Sequence, residues 1–230
     1  MLLTAPRLTD EHWQKLLNFR GYGSPAGPYW FVGIEEYGQG TIEDLHARAA
    51  FSEIEDLMLV HSSPPLGPVT GLIPTWGTMS KIVLRLKDHP DWSDGETCRR
   101  YQSQTLGTAD GETFLTELLP LPKPSDRYWP DWWPWASWEE YAEKVVPHRI
   151  EMIRTLFETH RPLFVFCYGK SYWPYHKKIF PEADFRPIVA GKVQTAALGT
   201  SRIVLTPFFA WFLTTNSLID RMATELLRRP

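Results

Sequence analysis

The sequence predicts an α/β fold, a three-layer α/β/α sandwich whose mainly parallel central sheet has about four to five strands. Apolar runs at 29–34, 114–119 and 163–168 are short and nearly continuous, as expected of strands buried on both faces. Stretches with helical spacing separate these runs. Alternating strands and helices imply right-handed crossovers, and hence a parallel sheet covered on both sides. No repeat or linker interrupts the 230 residues, so a single domain over 1–230 is expected.

In chain order, Thr9 is a candidate N-cap for a helix over 10–19 that carries Trp13, Leu16 and Leu17 on one face. Gly21-Tyr22-Gly23-Ser24-Pro25 breaks the chain, and the first strand, 29–34, runs into an acidic loop, Glu35-Glu36-Tyr37-Gly38-Gln39-Gly40. Helical spacing returns over 42–60, 61–75 reads as Pro/Gly-rich loop, and 78–86 as a helix. The second strand, 114–119, is ended by Pro120 and Pro122, and a Pro/Trp-rich excursion follows over 123–135. Ser137 caps a helix reaching 160, which Pro147 should end or kink. Strand 163–168 leads through Gly169-Lys170-Ser171 into a short helix. Strands 193–198 and 202–206 join at Gly199-Thr200-Ser201, and a helix over 216–229 closes the chain.

Composition narrows the class. Hydrophobic residues make up 43% and charged residues 22%, which is globular rather than disordered. The opening Met1-Leu2-Leu3-Thr4 passes straight into polar residues, unlike a secretory signal, and no apolar run has spanning length. Two isolated cysteines, Cys98 and Cys167, cannot build a zinc site or an iron–sulfur cluster. The expectation is a cytoplasmic, metal-free, cofactor-free monomer. The formal charge of -3 is uneven, with twelve Lys/Arg against six Asp/Glu from His148 onward. That polarity can steer a polyanion to one face. The 11 tryptophans, dense between Trp129 and Trp138, read either as packing material or as a stacking surface for bases or sugars.

Ligands of open parallel sheets bind beyond the C-terminal strand ends. There the chain brings Glu35, Glu36 and Tyr37; Glu117, Pro120 and Leu121; Gly169 and Lys170; and Pro207, Phe208 and Phe209. Acids beside a basic anchor and aromatic rings suit a flat, polar, anion-linked ligand such as a nucleotide or, less sharply, a sugar phosphate.

Four motifs in order resemble the uracil-DNA glycosylase superfamily. Gly33-Ile34-Glu35-Glu36-Tyr37 after its strand resembles the first motif, and Leu115-Thr116-Glu117-Leu118-Leu119-Pro120 the second strand with its base-reading position. The run 163–169 is similar to the third strand and its glycine, and 202–208 to the last strand. The chain departs from the family at three places: Glu36 replaces Pro, Glu117 replaces Asn, and Thr206-Pro207-Phe208 replaces His-Pro-Ser.

The resemblance implies a monofunctional DNA glycosylase that hydrolyses the N-glycosidic bond of a flipped base, in base excision or in defence against modified foreign DNA. Glu35 would activate water, with Glu36 either coupled to it or holding the loop. Gly33, Ile34, Tyr37, Trp76, Glu117 and Thr206 would form the base pocket. Lys170 would contact phosphate, and Phe208 and Phe209, with Trp211, Phe212 and Leu213 nearby, would supply an apolar wedge. An ionised Glu117 accepts hydrogen bonds only, which favours the amino group of a cytosine or modified cytosine; a buried salt bridge is the competing role. A catalytically silent nucleic-acid or nucleotide-binding module, and a hydrolase of free nucleosides, are the alternatives.

Overall fold

The computed structural model describes residues 7–62, 67–125, 127–210 and 212–228; Met1 to Thr4, Trp211, Arg229 and part of the 61–75 loop lie outside them. The N-terminal part contains α1 (Asp10–Asn18), β1 (Gly21–Gly23), β2 (Tyr29–Tyr37), α2 (Ile42–Arg48), β3 (Ile54–Glu55) and α3 (Leu57–Val60). Next come α4 (Pro74–Leu86), α5 (Gly95–Gln104), β4 (Thr113–Lys123) and the long α6 (Trp138–His160). The chain ends with β5 (Phe164–Tyr168), a 3-10 turn (Lys170–Tyr172), α7 (Trp173–Ile179), β6 (Arg186–Val189), β7 (Val193–Leu198), β8 (Ser201–Thr206) and α8 (Asn216–Leu227).

All strands join one mostly parallel sheet of eight, in the order β3-β1-β4-β2-β5-β8-β7-β6. The expected four to five strands are therefore too few. The parallel centre, β4-β2-β5-β8, comes from the apolar runs read in the sequence, and β7 joins β8 as the expected antiparallel hairpin. The additional strands are short flanks at Gly21–Gly23, Ile54–Glu55 and Arg186–Val189. The first sits in the expected break and the second inside the expected helix over 42–60. That helix divides because Glu53 O accepts from Arg20 N (2.7 Å), β3 pairs with β1, and Asp56 caps a new turn.

Three prolines also behave differently from expectation. β4 runs through Pro120 and Pro122 to Lys123, paired with β2 on one side only, because β1 reaches no further than Leu115. The register with β2 passes from Leu119, opposite Glu35, to Lys123, opposite Tyr37, so both prolines fall in an irregularity where no ladder bond needs their N–H, and between them Leu121 N–H donates to the Tyr141 hydroxyl (3.2 Å). Pro147 lies inside α6, which continues unbroken to His160. Burial of Val145, Val146, Ile150 and Ile153 outweighs the roughly 3 kcal/mol an interior proline costs.

Alternate residues of the central strands feed two core clusters. Trp30, Val32, Val165 and Ile203 pack with Val145 and Ile153 of α6, whereas Phe31, Phe166 and Val204 pack with Ile82 of α4 and Ile219 of α8. The strand order reverses at β2, whose neighbours in the sheet are β4 on one side and β5 on the other. A crevice is expected at such a switch point, beyond the C-terminal end of β2.

Candidate active site

A cavity of about 520 Å³ occupies that crevice. Trp76 and Met79 from α4, Tyr168 from β5 and Phe208 after β8 supply its apolar walls, and Glu35, Glu36 and Glu117 its acids. A broader groove of about 830 Å³ adjoins it, with Lys123, Lys170 and Lys192 among its lining residues. Glu35, Glu36, Tyr37 and Phe208 line both spaces and so mark the border between them.

Glu117 sits opposite Gly33 in the parallel register. Its Oε1 accepts a hydrogen bond from the Tyr168 hydroxyl (2.9 Å), and its Oε2 is buried without a partner. Gly33 is needed here for close approach: a Cβ would lie 1.9 Å from Oε2 and 2.2 Å from the Tyr168 hydroxyl. The Tyr168 ring is held in turn by stacking on Phe209, with centroids 4.5 Å apart. Arg149 approaches Glu117 but takes its main-chain oxygen (2.6 and 3.2 Å), not its carboxylate, so the salt bridge conceivable from sequence is not made. Burial pushes the Glu117 carboxyl up to about 8; the Tyr168 hydrogen bond and Arg149 oppose this, and Glu36 and Glu35 reinforce it. At neutral pH the group is mainly an uncharged acid that both donates and accepts. The expectation of an acceptor-only carboxylate is corrected accordingly.

The two acids read as a strand-end loop belong to β2, which continues to Tyr37 with an irregularity between Glu35 and Tyr37. Adjacent strand residues point apart, and these two find separate partners. Glu35 accepts from the Trp138 indole (2.8 Å) and pairs with the buried Lys123 ammonium (3.0 Å). Glu36 accepts from the Tyr22 hydroxyl (2.5 Å) and pairs with Arg48. Arg48 also binds Asp44 (2.8 Å), whose other oxygen accepts from Gln39 N and Gly40 N (2.9 and 3.1 Å). Burial works against the Arg48 charge, but Glu36, Tyr22 and Asp44 outweigh it. Glu36 thus joins the end of β2 to Tyr22 and Arg48, and the backbone amides of the following turn are held by Asp44 and not by Glu36.

The remaining residues of interest divide. Tyr37 and Trp76 line the cavity, with Tyr37 largely exposed and Trp76 edge-on to His61 (5.2 Å). Ile34 and Lys170 line the outer groove, where Lys170 Nζ donates to Gly191 O (3.0 Å). Thr206 is buried at the end of β8, lines neither space, and donates to Pro207 O (3.0 Å). Phe209 is wholly buried beneath Tyr168; among the described residues, the aromatic residues this loop exposes are Phe208 and Phe212. Tyr168, Arg149, Arg48, Lys123 and Trp138 carry no role in the sequence reading. Arg149 alone left a signal, a cation on the apolar stripe of its helix beside Val145, Val146 and Ile150.

These environments set a pH dependence of stability. Between about 4.5 and about 8 the folded protein keeps a proton on Glu117 that the unfolded chain has lost. Rising pH therefore costs about 1.4 kcal/mol per unit in that window. His176, wholly buried, is pushed down from 6.5 to about 4 by burial, against the opposing pull of the Gly33 backbone. Its contribution is complete above 6.5 and is lost as pH falls toward 4. The two slopes oppose each other below 6.5, and Glu117 acts alone above it. Wild type is expected to lose about 2 kcal/mol between pH 6.5 and 8 and Glu117→Gln to lose little, as read by urea unfolding. Equal losses in the two proteins would refute the assignment.

No described helix is long and apolar enough to cross a membrane. Against known proteins, no family model matches this chain and no curated sequence matches it significantly, so what the site does has to be inferred from its own geometry.

Proposed function

We propose that the chain is a monofunctional DNA glycosylase that hydrolyses the N-glycosidic bond of a modified or damaged base flipped into the cavity. The observation carrying this reading is the buried Glu117 carboxyl, held toward its neutral form and bonded by Tyr168 alone, at an aromatic-walled cavity that adjoins a lysine-bearing groove. Flipping costs a few kcal/mol, which stacking against Trp76 and Tyr168 and phosphate contacts from Lys170 and Lys192 would offset. Glu35, at the border of cavity and groove, is placed to activate water at the sugar. Its bonds to Trp138 and Lys123 keep it oriented and leave lone pairs free for that water. Phe208 is the exposed apolar side chain at the same border. In this reading the two core clusters are the covered faces of a three-layer α/β/α sandwich. The protein acts as a cytoplasmic monomer in base excision or in defence against modified foreign DNA.

Glu35→Gln is expected to slow base release at least about a hundredfold while leaving DNA binding unchanged. The assay uses duplex and single-stranded DNA carrying uracil, hydroxymethylcytosine or glucosylated cytosine, and detects free base and alkali-labile sites. One observation favours a second reading, a catalytically silent nucleic-acid-binding module: Thr206, in place of the family's histidine, turns its hydroxyl to Pro207 and does not line the cavity. DNA binding without base release from any of these substrates would establish the second reading and remove the first.

A further inference from the structure

The ends of four neighbouring strands set aromatic rings and cations in alternation. In the sheet, β2, β5, β8 and β7 follow one another in that order. Tyr37 ends β2, Lys170 follows β5, Phe208 follows β8, and Lys192 immediately precedes β7. Because β7 is antiparallel to β8, with Gln194 opposite Leu205, it starts at the edge where the other three end. All four side chains line the outer groove. Neighbouring strands lie about 4.8 Å apart, so the row spans about 14 Å.

The rings are presented to the groove, with Tyr37 76% and Phe208 43% exposed. Gly169, at φ +101°, turns the chain sharply after β5 and brings Lys170 to the same edge. Lys170 Nζ uses one of its three hydrogens on Gly191 O (3.0 Å), beside Lys192. The acids that line the groove do not cancel these two charges, because Glu35 faces Lys123 and Glu36 faces Arg48.

A single strand of DNA offers the matching alternation, base faces between phosphates. In a duplex those faces are covered by their neighbours, and affinity comes chiefly from the phosphates. A protein gripping a duplex through about 6–10 phosphates draws on more cations than the two this groove presents among the described residues, and the net charge is -3. Stacking contributes about 5- to 150-fold in affinity per base and is open to unpaired bases.

We propose that the outer groove binds single-stranded DNA and, building on the glycosylase reading, that the released base is taken from an unpaired strand. Tyr37 and Phe208 stack on bases, and Lys170 and Lys192 contact phosphates. Both rings also line the cavity, so the nucleotide they flank is the one set to turn inward. No base pair has to be broken, which removes part of the cost of extrusion.

The test measures binding at low salt, by fluorescence anisotropy, to a short oligothymidylate, to its duplex and to an equally long strand of abasic sites. The oligothymidylate should bind at least about tenfold more tightly than either of the others. Tyr37→Ala and Phe208→Ala should each weaken it at least about fivefold and leave the abasic strand unaffected, a selectivity that misfolding does not give. Lys170→Ala should weaken both single strands and lower the slope of log K against log salt by about 0.7. Duplex binding as tight as single-strand binding, or equal binding of the abasic strand, overturns the inference and leaves the glycosylase reading standing. Tighter binding of the corresponding RNA strand overturns the choice of DNA. Release of hydroxymethylcytosine should be at least about tenfold faster from a single strand than from a duplex, and release from the duplex alone overturns the inference. Single-strand binding of the expected kind with no base released removes the glycosylase reading and leaves the assignment of the groove in place.

Discussion

Arg149→Ala is expected to destabilise the fold by about 3–5 kcal/mol, the cost of emptying one side of a buried, hydrogen-bonded charge. Arg149 is 1% exposed, and its guanidinium bonds the main-chain oxygens of Glu117 (2.6 Å) and Phe19 (2.5 Å) and reaches the Thr116 hydroxyl (3.4 Å). Burial pulls its pKa down to about 10, against Tyr141 and Glu117, so the charge is costly and is held by carbonyl dipoles. Without it, carbonyls from two separate segments stay buried and unpaired, and the strand that carries Glu117 loses its clamp. Lysine should rescue little, because one ammonium cannot fork to both segments. Urea unfolding at constant m-value measures the loss; a change below about 1 kcal/mol would show that the clamp is not needed.

Arg48→Ala is expected to cost a similar amount, about 3–5 kcal/mol, by leaving two acids without their cation. Arg48 and Asp44 are each 5% exposed as side chains, and Glu36 16%. The loss reaches further than the pair, because Asp44 also holds the amides of Gln39 and Gly40. A double-mutant cycle with Glu36→Gln isolates the coupling, and additive effects would mean that Arg48 and Glu36 act independently. Disorder of the turn after β2 should accompany the loss, visible as faster amide exchange at Gln39 and Gly40.

The sequence carried the central sheet because its strands are buried on both faces, and that requirement writes itself as continuous apolar runs such as Phe164–Tyr168. It hid the flanks, since a strand as short as Ile54–Glu55 is decided by a partner distant in the chain and has no period of its own. The length of β4 was hidden for a related reason: Pro120 and Pro122 look like terminators until the irregular pairing with β2 between Leu119 and Lys123 is known. The site followed the same rule. Glu35, Glu36 and Glu117 were legible as acids at strand ends, where a charge is out of place. Their partners were not, because Lys123, Arg48 and Trp138 reach them through the tertiary fold. The charge state of Glu117 depends on that burial too, which residue type alone does not reveal.

The unpaired side of β4 also bears on how the molecule meets its own copies. A bare row of strand N–H and C=O groups is a template for a second chain. From Pro120 to Lys123 the strand is buried, Pro120 and Pro122 have no donor to offer, and the Tyr141 hydroxyl occupies the Leu121 donor between them. At the two ends of the sheet stand β3, only two residues long, and β6, which carries Pro187 beside an exposed Arg186. Among the described residues the sheet therefore presents no long unguarded edge, and its eight strands coexist with built-in resistance to edge-to-edge aggregation.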